Sequence, residues 1–202
     1  MSLAFLLTAF VVVATPGTGA LLSIAAGLRS GPRHGLITAF GCTLGVLPHL
    51  VAAITGAAAL LRAGGTAYEV VKALGVAYLL YLAWSTWRDT GALTVGTTAT
   101  PPSPIRTIVS AVLANLLNPK LTLFFFALLP QFVSAEAAHP VLQMVGLGAV
   151  FMIMTLVVFA AYGVFAALAR THLVERPQVM RRLRRTFSVT FVGLAGRLAT
   201  TR

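Results

Sequence analysis

The residues best equipped for chemistry are Asn115, Asn118 and Lys120, grouped around Pro119 in the stretch Asn115-Leu116-Leu117-Asn118-Pro119-Lys120. That stretch lies midway along an apolar run over residues 105–133. A helix rising about 1.5 Å per residue spans a bilayer over such a run and puts Lys120 near the midplane. An ammonium there costs upwards of ~3 kcal/mol, so such residues usually face a bundle interior or a watery cavity and serve a pathway. Pro119 has no N–H to give the carbonyl of Asn115 and crowds it, so the helix kinks or splits at this point. Asn115 and Asn118, three apart on one face, are amides suited to the freed backbone groups. A plain proline kink, with Lys120 satisfied by neighbouring carbonyls, is the simpler alternative.

A second interruption, Thr15-Pro16-Gly17-Thr18-Gly19, cuts the first apolar run, 3–28. Pro16 frees the carbonyl of Val12, and the glycines loosen the same turn. Thr15, Pro16, Gly17 and Thr18 together with Asn115, Asn118, Pro119 and Lys120 are therefore the candidate substrate-binding residues. Besides tyrosines and Cys42, the titratable side chains near the middle of any span are His49 and Lys120, which are the proton-coupling candidates. A lone histidine in an apolar span is more often a hydrogen-bonded packing residue. The acids Glu69, Asp89, Glu136 and Glu175 all fall near span ends or in links. With no deep carboxylate beside it, Lys120 is suited to an incoming carboxylate.

These residues need apolar helices to carry them. The chain has 202 residues, 58% of them hydrophobic and 9% charged, with a mean hydropathy of +0.91. Recurrent runs of about eighteen or more apolar residues make it an all-α, polytopic membrane protein forming one unit. The net charge of +11 would suggest nucleic acid in a soluble protein, but the arginines cluster between apolar runs, where the positive-inside bias accounts for them. The expected partners are the lipid bilayer and a small molecule, with no nucleic acid, cofactor or metal, and a homo-oligomer is compatible with the pattern. Cys42 is the one cysteine and can form no intrachain disulfide. The N-terminus lacks the positive region of a signal peptide and is expected to stay in the mature protein.

The remaining spans are read at 36–61, 68–87, 141–169 and, least securely, 186–200, with a basic link at 29–35 and a Thr-, Gly- and Pro-rich linker at 89–104. Gly41 and Gly45 form a small-xxx-small packing pattern in the second span, and Gly75, Tyr78 and Tyr81 a helical stripe in the third. Pro48-His49 suggests a further kink. The broken spans are the first and fourth, so each opens a group of three: half one over about 1–88 and half two over about 105–202. A shift of 103 residues pairs Pro16 with Pro119; shifts of 105 and 107 pair Gly41 with Gly146 and Gly56 with Gly163. Three spans per half inverts the second half, giving six helices as two inverted three-helix repeats, the pattern of a secondary transporter with a midplane site. With six spans, the links holding Arg29, Arg33, Arg88, Arg106 and the arginines of 170–185 fall on one side, against Arg62, Arg197 and Arg202 on the other. That asymmetry puts both termini outside a cell (inner) membrane.

Four stretches in order, Ala14-Thr15-Pro16-Gly17, the Gly41 and Gly45 pattern, Gly75-Val76-Ala77-Tyr78-Leu79-Leu80-Tyr81-Leu82, and Asn118-Pro119-Lys120 followed by Leu129-Pro130-Gln131-Phe132-Val133, carry a family likeness. The chain resembles the lysine exporter (LysE-type) translocator family, which includes homoserine, threonine and leucine exporters. The resemblance implies six transmembrane helices, export of small amino acids or related metabolites driven by an ion gradient, usually protons, and no enzymatic activity. For the amino acid substrate it implies, carbonyls near Val12 and Asn115 suit the ammonium, and with no deep acid a neutral amino acid fits better than lysine or arginine. Members commonly continue Pro-Gly-Pro-Asn where this chain has Pro16-Gly17-Thr18-Gly19, so the first break lacks a second proline and an amide.

Competing functions fit less well. Metal cation efflux would have one cysteine and one histidine in the spans to work with. A channel would want polar stripes that most spans lack. A membrane-embedded enzyme would need a Ser-His, paired-acid or metal constellation, and no HExxH or GxSxG occurs. A purely structural subunit is the blandest alternative.

Overall fold

The computed structural model describes residues 2–63, 102–133 and 138–169, with isolated positions between 70 and 84 and residues 189 and 192. Among these the secondary structure is helical, with no strand. Ser2 caps α1 (Leu3–Ala14), its hydroxyl accepting from the Phe5 N–H at 3.2 Å. Pro16 ends that helix, and α2 (Thr18–Ser30) starts beyond Gly17. Gly31, at φ 85°, is the only residue between α2 and α3 (Pro32–Leu44). The basic link read at 29–35 is thus almost wholly helical, because Pro32 opens a helix readily and Gly31 adopts the left-handed turn that a side chain would resist.

Next comes α4 (Leu47–Ala63), after a break at Gly45-Val46. No break falls at Pro48-His49 itself, where the sequence suggests a kink; the α-helical assignment is interrupted just ahead of it. Pro48 occupies the first turn of α4, where a missing N–H costs nothing. Ser103 caps α5 (Pro104–Leu116), and Asn118 caps the short α6 (Pro119–Leu123), which widens into a π turn (Phe124–Leu128) and tightens into a 3-10 turn (Leu129–Phe132). The last described helix is α7 (Pro140–Leu168).

Pro32–Gly56 and Pro140–Leu168 are each long and apolar enough to cross a bilayer. Two bent pairs also qualify if each counts as one span: α1 with α2, bent by 52°, and α5 with Lys120–Phe132, bent by 55°. Up to four crossings are thus described, matching the spans read at 3–28, 36–61, 105–133 and 141–169. The spans read at 68–87 and 186–200 lie largely outside the described residues.

Exposed apolar side chains recur at helical spacing, as with Leu3, Leu7 and Phe10 on α1 and Ile105, Val109 and Leu113 on α5. Such stripes suit acyl chains, while buried groups face inward.

Packing differs between the ends of the bundle. α2, α3 and α5 pack against one another, and α2 and α3 also against α7. There the contacts are backbone to backbone: a Cβ on Gly27 would overlap the Gly163 carbonyl, and one on Gly35 would lie 2.8 Å from the Gly163 Cα. A Cβ on Gly41 would sit 2.8 Å from that of Ala111, and one on Gly45 2.8 Å from that of Asn115. Towards the other end the filling is aromatic, with Phe124 stacked on Phe151 at 4.3 Å between centroids, Phe125 edge-on to both, and Phe5 edge-on to Phe132. The glycines that the repeat pairs make unlike contacts. Gly56 meets the Phe126 ring and Gly163 meets Gly35, whereas Gly146 has nothing within 4 Å of its missing Cβ.

Candidate functional site

Between the glycine-packed and aromatic ends lies a polar layer built where helices break. A proline removes the hydrogen bond to the carbonyl four residues back, so Pro16 frees Val12 and Pro119 frees Asn115. A buried carbonyl left without a donor costs about 1–3 kcal/mol, and each of these finds one on another helix. The Lys120 amine donates to the Val12 carbonyl at 2.7 Å and to the Thr15 carbonyl at 2.9 Å. His49 Nε2 donates to the Asn115 carbonyl at 3.1 Å. At the third break, the Val46 N–H turns to Thr43 at 3.1 Å, and the Cys42 carbonyl accepts from Asn115 Nδ2 at 2.6 Å.

The layer is continuous. Asn118 Nδ2 donates to Asn115 Oδ1 at 3.2 Å, and Asn118 Oδ1 accepts from the Lys120 N–H at 3.1 Å as the α6 cap. His49 gives its Nε2 proton to a carbonyl, so in the neutral ring Nδ1 accepts from the Thr122 hydroxyl at 3.3 Å. Gly17 and Gly19 make the room. A Cβ on Gly17 would sit 3.1 Å from the Lys120 amine, and one on Gly19 3.0 Å from Asn115 Oδ1 and 2.6 Å from the Phe159 ring.

Electrostatically, Lys120 is seated at the C-terminal end of α1, where the helix dipole is negative. It is 7% exposed, and the carbonyls it meets are those the first break exposes. The two breaks, 103 positions apart in sequence, are held together by this side chain.

Of the residues singled out in the sequence, the structure brings together Thr15, Gly17, Asn115, Asn118, Lys120 and His49. Thr18, between Gly17 and Gly19, is exposed and opens α2. Tyr81 is helical and half-exposed, its ring 6.3 Å from that of Trp84, while Gly75 and Tyr78 lie outside the described residues. Two members went unnoticed in the sequence. Tyr162 on α7 donates to the Ala14 carbonyl at 2.6 Å, and Thr122 reaches His49. The available signal was a lone phenol within a long apolar run, and a hydroxyl two residues after Lys120.

The LysE type translocator family model matches residues 10–202. A Vibrio cholerae protein described as "Uncharacterized membrane protein" is 37% identical, the match covering 98% of this chain and 96% of that one. The homoserine/homoserine lactone efflux protein of Salmonella typhimurium is 30% identical over the same shares, and the leucine efflux protein of Klebsiella pneumoniae 28% identical over 98% and 94%. No solved structure matches the chain. With broken apolar helices meeting at a buried lysine and a family match over nearly its whole length, the chain belongs to the LysE type translocators.

Proposed function

We propose that this protein is a secondary active exporter of small neutral amino acids or related metabolites, driven by the proton gradient. The observation that carries the reading is the Lys120 amine on the Val12 and Thr15 carbonyls. An amino acid brings one group for each side of that contact. Its carboxylate draws Lys120 away, and its ammonium takes the vacated carbonyls, so every charge stays matched through the exchange. Thr15, Pro16, Gly17, Thr18, Asn115, Asn118 and Pro119 frame this exchange, in six spans arranged as inverted halves with a linker at 89–104. The similar bends, 52° and 55°, support that symmetry. The arginine-rich links face the cytoplasm and both termini face outward.

A second positive charge on the substrate would have no acid to meet, since all four acids sit near span ends or in links by sequence. The homoserine and leucine efflux relatives support a neutral substrate. His49, tied to the second break and bearing an acceptor nitrogen, is the group for the proton. Metal efflux is disfavoured by the chemistry of the spans, which by sequence offer one cysteine and one histidine with no deep acid.

The test is mass spectrometry of amino acids in the medium of cells carrying wild type, Lys120→Met or empty vector. Wild type alone should release a neutral amino acid such as homoserine, and an uncoupler should stop it. His49→Gln should flatten the pH dependence. A wild type indistinguishable from vector overturns the export reading, and release of lysine or arginine overturns the neutral preference.

A further inference from the structure

At their basic end α2, α3 and α5 do not close on one another. A cavity of about 720 Å³ lies between them, with Arg29, Ser30, His34, Ser103 and Arg106 at its mouth. Leu22, Thr38 and Ala111 also line it. Ala111 is one turn from Asn115, Thr38 one turn from Cys42, and Leu22 three residues from Gly19. The lining therefore comes within about one helical turn of the polar layer along each of the three helices. Beyond that layer lies the Phe124, Phe125 and Phe151 cluster.

The lining is chemically two-sided. Arg106 supplies a permanently charged planar fork suited to a carboxylate. Thr38 gives its hydroxyl proton to the His34 carbonyl at 2.8 Å and Thr107 gives its own to Ser103 at 3.1 Å, which leaves both oxygens as acceptors for an ammonium. The mouth is held in shape by His34 Nε2, which donates to the Pro102 carbonyl at 3.2 Å and ties the start of α3 to the chain entering α5.

We propose that this cavity is the loading vestibule, where the Arg106 guanidinium captures the carboxylate of a zwitterionic substrate before it passes to Lys120. The proposal rests on the export reading above. It adds a second, earlier carboxylate site about four helical turns from the first along α5 and α6, by residue count.

Two measurements test it. In membrane vesicles, Ser110→Cys places a thiol in the cavity wall, and fully buried Cys42 sets the background. A sulfonate-bearing methanethiosulfonate reagent should modify it at least about fivefold faster than an ammonium-bearing one, by attraction to the arginines. Arg106→Gln should lower that bias, Arg29 remaining in the lining, and homoserine should protect the thiol. No modification, or protection by added cardiolipin in nanodiscs without protection by homoserine, overturns the proposal, the latter by making the cavity a lipid headgroup site. In export, Arg106→Gln should raise the half-saturating homoserine concentration severalfold with the maximal rate kept, and Arg106→Lys should recover part of the loss. Homoserine lactone, which has no carboxylate, should be indifferent to both changes. Unchanged half-saturation in Arg106→Gln, with wild-type export intact, overturns the vestibule and leaves the export reading standing.

Discussion

The breaks at Pro16 and Pro119 bend their spans almost equally, by 52° and 55°, yet they satisfy their backbone in opposite ways. The second break serves itself. Asn118 caps α6 with its side chain, sends its own N–H to Asn115 at 3.1 Å and links its amide to that of Asn115, so His49 is the one donor brought from afar. The first break borrows. Its cap residue, Gly17, has no side chain to offer, and the carbonyls of Val12, Ala14 and Thr15 are met by Lys120 and Tyr162 from other helices. Only Thr15 acts locally, its N–H and hydroxyl both turning to Val11. A break that completes itself is a fixed platform; in the export reading proposed above, one completed by a distant lysine is a socket whose occupant is exchanged.

Removing the lender should have the largest effect. Lys120→Met leaves the Val12 and Thr15 carbonyls buried without donors, at about 1–3 kcal/mol each. Export should fall to vector background and thermal unfolding in detergent should drop by several degrees; unchanged export would end the socket idea. Gly17→Asn is the sharper probe, since it hands the first break the cap that the second already has. Its side chain must share space with the Lys120 amine, 3.1 Å from the Cβ position, so export should decline about tenfold, by roughly 1.4 kcal/mol. An active, more stable Gly17→Asn would mean the bare cap has no purpose. Asn118→Ala should destabilise by about 1 kcal/mol through the lost cap, with export reduced rather than abolished. Tyr162→Phe should be mildest, at about 0.5–1.5 kcal/mol, read as a small shift in unfolding temperature.

Both breaks were readable from sequence because proline acts on its own chain: the missing N–H of Pro16 and Pro119 names Val12 and Asn115 without any knowledge of the fold. Asn118 as a cap was within reach for the same reason. What answers the freed carbonyls was not readable, because the Lys120 and Val12 contact joins residues 108 positions apart and depends on how two bent spans cross. The sequence favoured a substrate ammonium at Val12, a carbonyl that the protein's own lysine occupies here. The Gly27, Gly35 and Gly163 contact was equally hidden, since a glycine states that room is needed and not which neighbour needs it. Pro48 misled about the kink because its effect depends on its place within a helix, and the nearby Gly45-Val46 break was the deciding feature.

The single residue between α2 and α3 limits how this molecule can move. A one-residue joint at Gly31 gives two antiparallel helices no slack to slide past each other. Together they act as one lever, clasped to α7 at Gly163. Its outer ends are places where the regular α-helical assignment is interrupted, Thr15–Gly17 at one and Gly45-Val46 at the other. The Lys120 amine is bonded to the first and the Asn115 amide to the carbonyl beside the second. On the export reading, a swing of this pair would strain those two contacts, and opening would then be coupled to what binds there.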